Sequence, residues 1–183
     1  IAVQGVIVDD GLSEPVNRLA NGSFESGLHA WTFSGAADVG GGAFDGERCL
    51  AMSAPSNTAF ARSDAFAVKA GQEILVNFHV AVDGPAGGTT VDAAVEVEDA
   101  EGKPLARLPL VGPDERVVMA TDWDWMGRTL TMPAGAARAR VVLGTRDNPG
   151  RTRYDAVKAV CMEDLRAWRK RPLSKSLHVE DEP

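Results

Sequence analysis

The sequence predicts an all-β protein, a β-sandwich of the jelly-roll kind with a short helical or irregular C-terminal tail. Three observations carry that prediction. Helical periodicity is nearly absent from Ala2 to Val160, and period-two alternation bounded by Gly, Pro, Asn and Asp recurs in its place. About ten short segments then follow one another at the even spacing of an all-β sandwich. With 183 residues and 44% hydrophobic content, the chain is long enough for a single domain with a proper core.

The segments can be justified in chain order. Residues 1–16 form an N-terminal extension or edge strand, and "RLANGSF", "HAWTFSG", "ERCLAMS" and "SDAFAV" follow as short strands between turn residues. In "QEILVNFHVAVD", Ile74, Val76, Phe78, Val80 and Val82 fall on one face, with Leu75, Asn77, His79 and Ala81 on the other. "TTVDAAVEVED" alternates as cleanly, Val91, Ala93, Val95 and Val97 opposing Asp92, Ala94, Glu96 and Glu98. "DAEGKPL" supplies Asp, Gly and Pro for a hairpin turn into the returning strand "LARLPLV". "GRTLTMP", "ARARVVLGT" and "YDAVKAVCM" complete the series. The fold should therefore span 17–163, with a helical turn and a linker or tail over 164–183, where "RAWRKRP" is the one basic run.

Composition excludes several classes of function. A formal charge of −7 argues against a nucleic-acid partner, and no run approaches the ~18 apolar residues of a membrane span. Opening on Ile without a signal peptide suggests a mature secreted protein or a piece of a longer one. Cys49 and Cys161 allow one disulfide or two buried thiols, and no cysteine-rich zinc site. No nucleophile elbow, zinc-protease or phosphate-loop motif occurs, and the three histidines are scattered, so no catalysis is expected.

The order of short motifs resembles the carbohydrate-binding modules of the family four, nine, sixteen and twenty-two type, whose jelly roll is also described as galactose-binding-domain-like. The resemblance rests on Asn21-Gly22-x-Phe24-Glu25 followed by Gly27 and Trp31, on "DGERCLAMS", on "VKAGQEILVNFHV", on a Trp leading into "TMPAGAARARVVL", and on the closing "YDAV". It implies a noncatalytic module that brings a larger glycoside-active or cell-surface protein to a polysaccharide or oligosaccharide, with an adjoining catalytic domain as a further partner and a secreted or cell-surface location. It also implies a structural calcium held by Glu25 and Asp155, since such an ion draws six to eight oxygens from carboxylates and loop carbonyls. The sugar platform it implies is the outward side of one sheet, bearing Asn77, His79, Asp92, Glu96, Glu98 and Arg140 as polar groups, and Trp123 as the aromatic. Trp31 and Trp125 are expected to pack structurally, and Trp168 to staple the terminal segment onto the domain. The rival function is a structural or protein-interaction jelly roll that docks a neighbouring domain or subunit without binding sugar.

Overall fold

A computed structural model describes residues 16–84, 90–111 and 122–169. Its strands are β1 (Trp31–Ser34), β2 (Ala36–Gly40), β3 (Cys49–Ser63), β4 (Phe66–Ala67), β5 (Glu73–Asp83), β6 (Thr90–Glu98), β7 (Pro104–Pro109), β8 (Asp124–Thr131) and β9 (Arg138–Cys161), followed by one helix, α1 (Met162–Arg169). The all-β prediction holds. Every strand pairing is antiparallel.

Two layers arise because β3 and β9 are long enough to belong to both. Around Thr58–Arg62 of β3 and the first part of β9, β1 flanks β3 while β6 and then β7 flank β9, giving the order β1-β3-β9-β6-β7. This is the first sheet. Around Leu50–Met52 of β3 and the last part of β9, the order is β2-β3-β9-β5-β8. The short β4 extends the first sheet by pairing with Arg138 and Ala139.

Between the two sheets the long strands change direction. β3 shifts register between Met52, Ala54 and Thr58. Opposite, Asp147 has a φ of 51°, and Asn148 bonds Thr152 Oγ1 and the Gly150 amide, each at 3.0 Å. Thr145 and Thr152 hydroxyls meet at 2.7 Å, so this buried knot satisfies its own polar groups and tolerates Pro149 within the strand. The sequence divides "ARARVVLGT" from "YDAVKAVCM" at these turn-forming residues, whereas the chain continues through them as one strand.

The alternation assigned to β5 and β6 is observed: Ile74, Val76, Phe78, Val80 and Val82 join Val91, Ala93, Val95 and Val97 in one core with Leu50, Met52, Leu143 and Tyr154. Full burial of side chains this size contributes roughly 1.5–3 kcal/mol each. The hairpin between β6 and β7 closes as read, with Asp99 accepting from the Lys103 amide and Gly102 at φ 86°.

"RLANGSF" is not a strand but a series of turns. Asn17 takes the place of a neighbouring strand beside the free edge of β9, accepting from the Ala159 amide and donating to the Val157 carbonyl. Asn21 binds the carbonyls of Gly27 and His29 and the amide of Ser26, while Trp31 Nε1 donates back to the Asn21 carbonyl. Phe24 and Trp31 are buried together, as expected of Trp31.

At the other end, α1 confirms the helical turn but buries none of its side chains. Trp168 is 39% exposed, and ion pairs Arg18–Asp164 and Arg166–Glu73 tie the helix to the domain. Cys49 and Cys161 are buried free thiols. The greater parts of the N-terminal extension and of the tail lie outside the described residues. The only described helix is too short to cross a membrane.

Candidate functional site

The residues expected on one platform occupy two different sheets. Asp92, Glu96 and Glu98 lie on β6 and Arg140 on β9, facing outward from the first sheet, whereas Asn77 and His79 face outward from the second. Alternation assigns a residue to one side of its own strand, but the long β9 places β5 and β6 in separate layers.

On the first sheet the charged side chains form a ladder. Arg62 meets Glu96 through Nε at 2.9 Å and Nη2 at 3.2 Å. Arg107 meets the same carboxylate at 3.2 Å and both oxygens of Asp92 at 3.0 Å. Beside them Arg140 pairs with Glu98 at 3.3 Å, and the Arg62 guanidinium lies 5.7 Å from the centre of the Phe60 ring. A groove of about 440 Å³ runs along the ladder, lined by Arg62, Glu96, Glu98 and Arg107 together with Pro104 and Leu105. The sequence reading missed Arg62 and Arg107, although both alternate with apolar residues in "AFARS" and "LARLP". This surface offers planar, mutually oriented donors and acceptors at the wall of a ligand-sized groove.

The glycine-rich loop of residues 41–48 lies over His79 of the second sheet. Phe44 stacks on His79 with centroids 3.5 Å apart and planes 10° from parallel, and Trp123 stands edge-on to Phe44 at 6.2 Å. Arg153 fixes the roof by donating to the Gly42 carbonyl and to Asp83, with its guanidinium 5.1 Å from the Trp123 ring centre. Under the roof, burial pushes the His79 imidazole below its ordinary value, and Lys158 adds to that while Asp155 and Asp45 oppose it. Burial likewise raises the Cys49 thiol.

Glu25 and Asp155 both converge on this loop, but as acceptors of its backbone N–H groups. Asp155 Oδ2 accepts from Phe44 and Asp45, and its Oδ1 from Ala156; Glu25 Oε1 accepts from Glu47 and Arg48. A calcium site needs six to eight oxygens facing the ion. In this arrangement both carboxylates are turned toward amide hydrogens of the loop. The same two carboxylates clamp the loop directly.

The two tryptophans differ in their surroundings. Trp123 is held between Phe44 and Arg153, whereas Trp125, expected to pack, is 57% exposed beside His79 in the paired strand.

No protein-family description matches the chain, and no curated protein is similar to it. Solved structures are similar in fold. The enzymatically active domain of tailspike protein 4 of bacteriophage CBA120 superposes with a TM-score of 0.65 at 16% identity, over 79% of this chain and 21% of that one. This chain thus spans about a fifth of that protein's length. A family 16 carbohydrate-binding module gives 0.60 at 18% identity, over 79% of this chain and 99% of the module. A xylan-binding domain of family 22 gives 0.54 at 19%, over 76% and 91%. The fold is that of carbohydrate-binding jelly rolls.

Proposed function

We propose that this chain is a noncatalytic saccharide-binding module that holds a larger glycoside-active or cell-surface protein against a polysaccharide, through the outward face of the first sheet. The groove of about 440 Å³ along the Arg62–Glu96–Arg107–Asp92 ladder carries this reading. Vicinal sugar hydroxyls both donate and accept, and a row of carboxylates and guanidinium groups fixed by one another presents both functions at little reorganisation cost. Leu105 and Pro104 supply an apolar wall for the C–H side of the sugar. A jelly roll with a similar fold binds xylan, which supports the assignment of ligand class. Arginines hold the carboxylates of the ladder in charged pairs, which suits hydrogen bonding better than proton transfer. Tethering then raises the local concentration of substrate for the parent protein.

The test is binding to soluble xylan and other plant and bacterial polysaccharides by affinity electrophoresis or calorimetry. Glu96→Gln removes the charge that orients Arg62 and Arg107, and is expected to weaken binding about tenfold or more. Because the pairs are partly exposed, folding stability should fall by no more than about 1 kcal/mol. Failure to bind any saccharide, or undiminished binding by Glu96→Gln, would overturn the assignment.

Calcium is a separate question with its own measurement. The amide clamp predicts that chelation leaves the melting temperature unchanged. A rise of several degrees on adding calcium would instead show that the loop turns its carbonyls toward an ion and that Glu25 and Asp155 act as ligands.

A further inference from the structure

We infer that Glu96 sets the ligand class of the groove on the first sheet: by holding Arg62 and Arg107 it keeps the groove electrically neutral, so that the groove selects uncharged sugars over uronic-acid sugars. The inference rests on the reading of that groove as a saccharide site and adds the residue that decides which saccharides enter.

Charge is balanced side chain by side chain. Glu96 Oε2 accepts from Arg62 Nε at 2.9 Å, and its Oε1 accepts from Arg62 Nη2 and from Arg107 Nη1, each at 3.2 Å. Arg107 turns its other terminal nitrogen to both oxygens of Asp92 at 3.0 Å, and Glu98 takes Arg140 at 3.3 Å. Every carboxylate of the ladder thus meets a guanidinium group, and the charged residues that line the groove, Arg62, Glu96, Glu98 and Arg107, sum to zero. Were Glu96 lost, Arg107 would keep Asp92, whereas Arg62 pairs with no other carboxylate among the described residues.

The ladder is packed in place. Val142 of β9 pairs with Arg62 of β3 on one side and Ala94 of β6 on the other. Both Val142 and Ala94 alternate with core residues and so face outward, yet they are only 4% and 2% exposed. The long side chains of the neighbouring rows, Arg62 among them, close over this apolar strip, and the Phe60 ring lies 5.7 Å from the Arg62 guanidinium. A sugar entering the groove therefore meets charges already neutralised by one another. Its hydroxyls gain from this surface, since Arg62 Nη1 and Arg107 Nε are not used within the ladder and carboxylate lone pairs remain beside them. A ligand carboxylate gains little, because any position near Arg62 or Arg107 is also near Glu96, and attraction and repulsion of similar reach offset one another. Nor does it displace Glu96, which is tethered beside both arginines at high effective concentration. Selection against acidic sugars is thus the work of a repulsive group that also orients the attractive ones.

Matched polymers test this: neutral arabinoxylan against glucuronoxylan, and neutral galactan against polygalacturonate, by calorimetry or affinity electrophoresis. The proteins are wild type, Glu96→Gln, Arg62→Gln, the double variant carrying both changes, and Glu163→Gln. Glu163 is exposed on α1, outside the groove, so its variant matches the change in net charge made by Glu96→Gln and controls for the chain's overall −7. Wild type is expected to bind the neutral member of a pair about tenfold more tightly than the acidic member. In Glu96→Gln, Arg62 loses its carboxylate and the groove gains a positive charge. The acidic-to-neutral ratio of affinities should then rise by about tenfold or more, and the gain should fall on added salt. Arg62→Gln moves the charge the other way and should lower the ratio, the double variant should lose the gain, and Glu163→Gln should leave the ratio at its wild-type value. Acidic members bound by wild type as tightly as neutral ones, a ratio unmoved by Glu96→Gln or Arg62→Gln, or one that rises equally in Glu163→Gln, would overturn Glu96 as the selector and leave the saccharide groove standing. Failure to bind any saccharide would remove the groove reading and this inference with it.

Discussion

Replacing Asp155 by alanine is expected to cost about 2–4 kcal/mol of folding stability and to loosen the loop of residues 41–48. The side chain is fully buried and accepts from Phe44 and Asp45 at 2.9 Å and from Ala156 at 2.6 Å. An unsatisfied buried donor costs about 1–3 kcal/mol, and water reaching the exposed loop recovers part of that for Phe44 and Asp45. Asp155→Asn is a sharper probe. Both oxygens accept N–H donors, so whichever way the carboxamide turns, its NH2 faces one of them. Chemical denaturation gives the loss, and faster hydrogen exchange at the Phe44 and Asp45 amides locates it. Burial raises the Asp155 carboxyl above its ordinary 3.8, against the three amides that lower it. Its contribution should accordingly be greatest below about pH 3.8 and decline as pH rises through the folded-state value, so the gap between wild type and Asp155→Ala narrows in that direction. An alanine variant as stable as wild type, with unchanged exchange in the loop, would refute the clamp.

The strands whose two faces differ most were legible from sequence. β5 and β6 alternate without interruption, and one buried face per strand fixes which side chains enter the core. The long strands were less legible, for a physical reason. "RDNPG" in β9 carries the residues of a turn, and a local reading cannot see that Asn148, Thr145 and Thr152 bind one another so that the strand survives the bend. "APSNT" hides the continuity of β3 in the same way.

The outward polar residues of the candidate site are legible in the sequence, and their assembly is not. Asp92, Glu96 and Arg140 were read as outward polar groups, and they are, but their partners Arg62 and Arg107 come from strands whose register no local pattern supplies. The resemblance implies one platform for these residues with Asn77 and His79, and alternation cannot correct it, because it reports a face without reporting a sheet. The exposure of Trp125 has a similar origin: both positions read alike in "TDWDW", and only Arg153 and Phe44, distant in sequence, pack against Trp123. For Glu25 and Asp155 the sequence indicated a shared location, and the structure gives the shared target, one loop held by its amides.

Phe24→Ala should have the largest effect, about 3–5 kcal/mol, because the ring is fully buried and packs 5.1 Å from Trp31. The cavity is not the whole consequence. Phe24 adopts a φ of 58° and its N–H donates to the Asn21 carbonyl at 3.2 Å, and the next residue is Glu25, which holds the Glu47 and Arg48 amides. Losing the ring therefore releases one end of the loop clamp as well as the opening segment. Gly22→Ala attacks the same segment by another route: its Cβ would sit 2.1 Å from the Val157 carbonyl oxygen, where Gly22 also accepts the Val157 amide at 2.9 Å. Backbone must move to admit it. If opening segment and loop form one cooperative unit, Phe24→Ala and Glu25→Gln will be non-additive in a double-mutant cycle, the second change costing little once the first is present. Additive losses within about 0.5 kcal/mol would show instead that the ring serves only the core and that the loop is held independently of it.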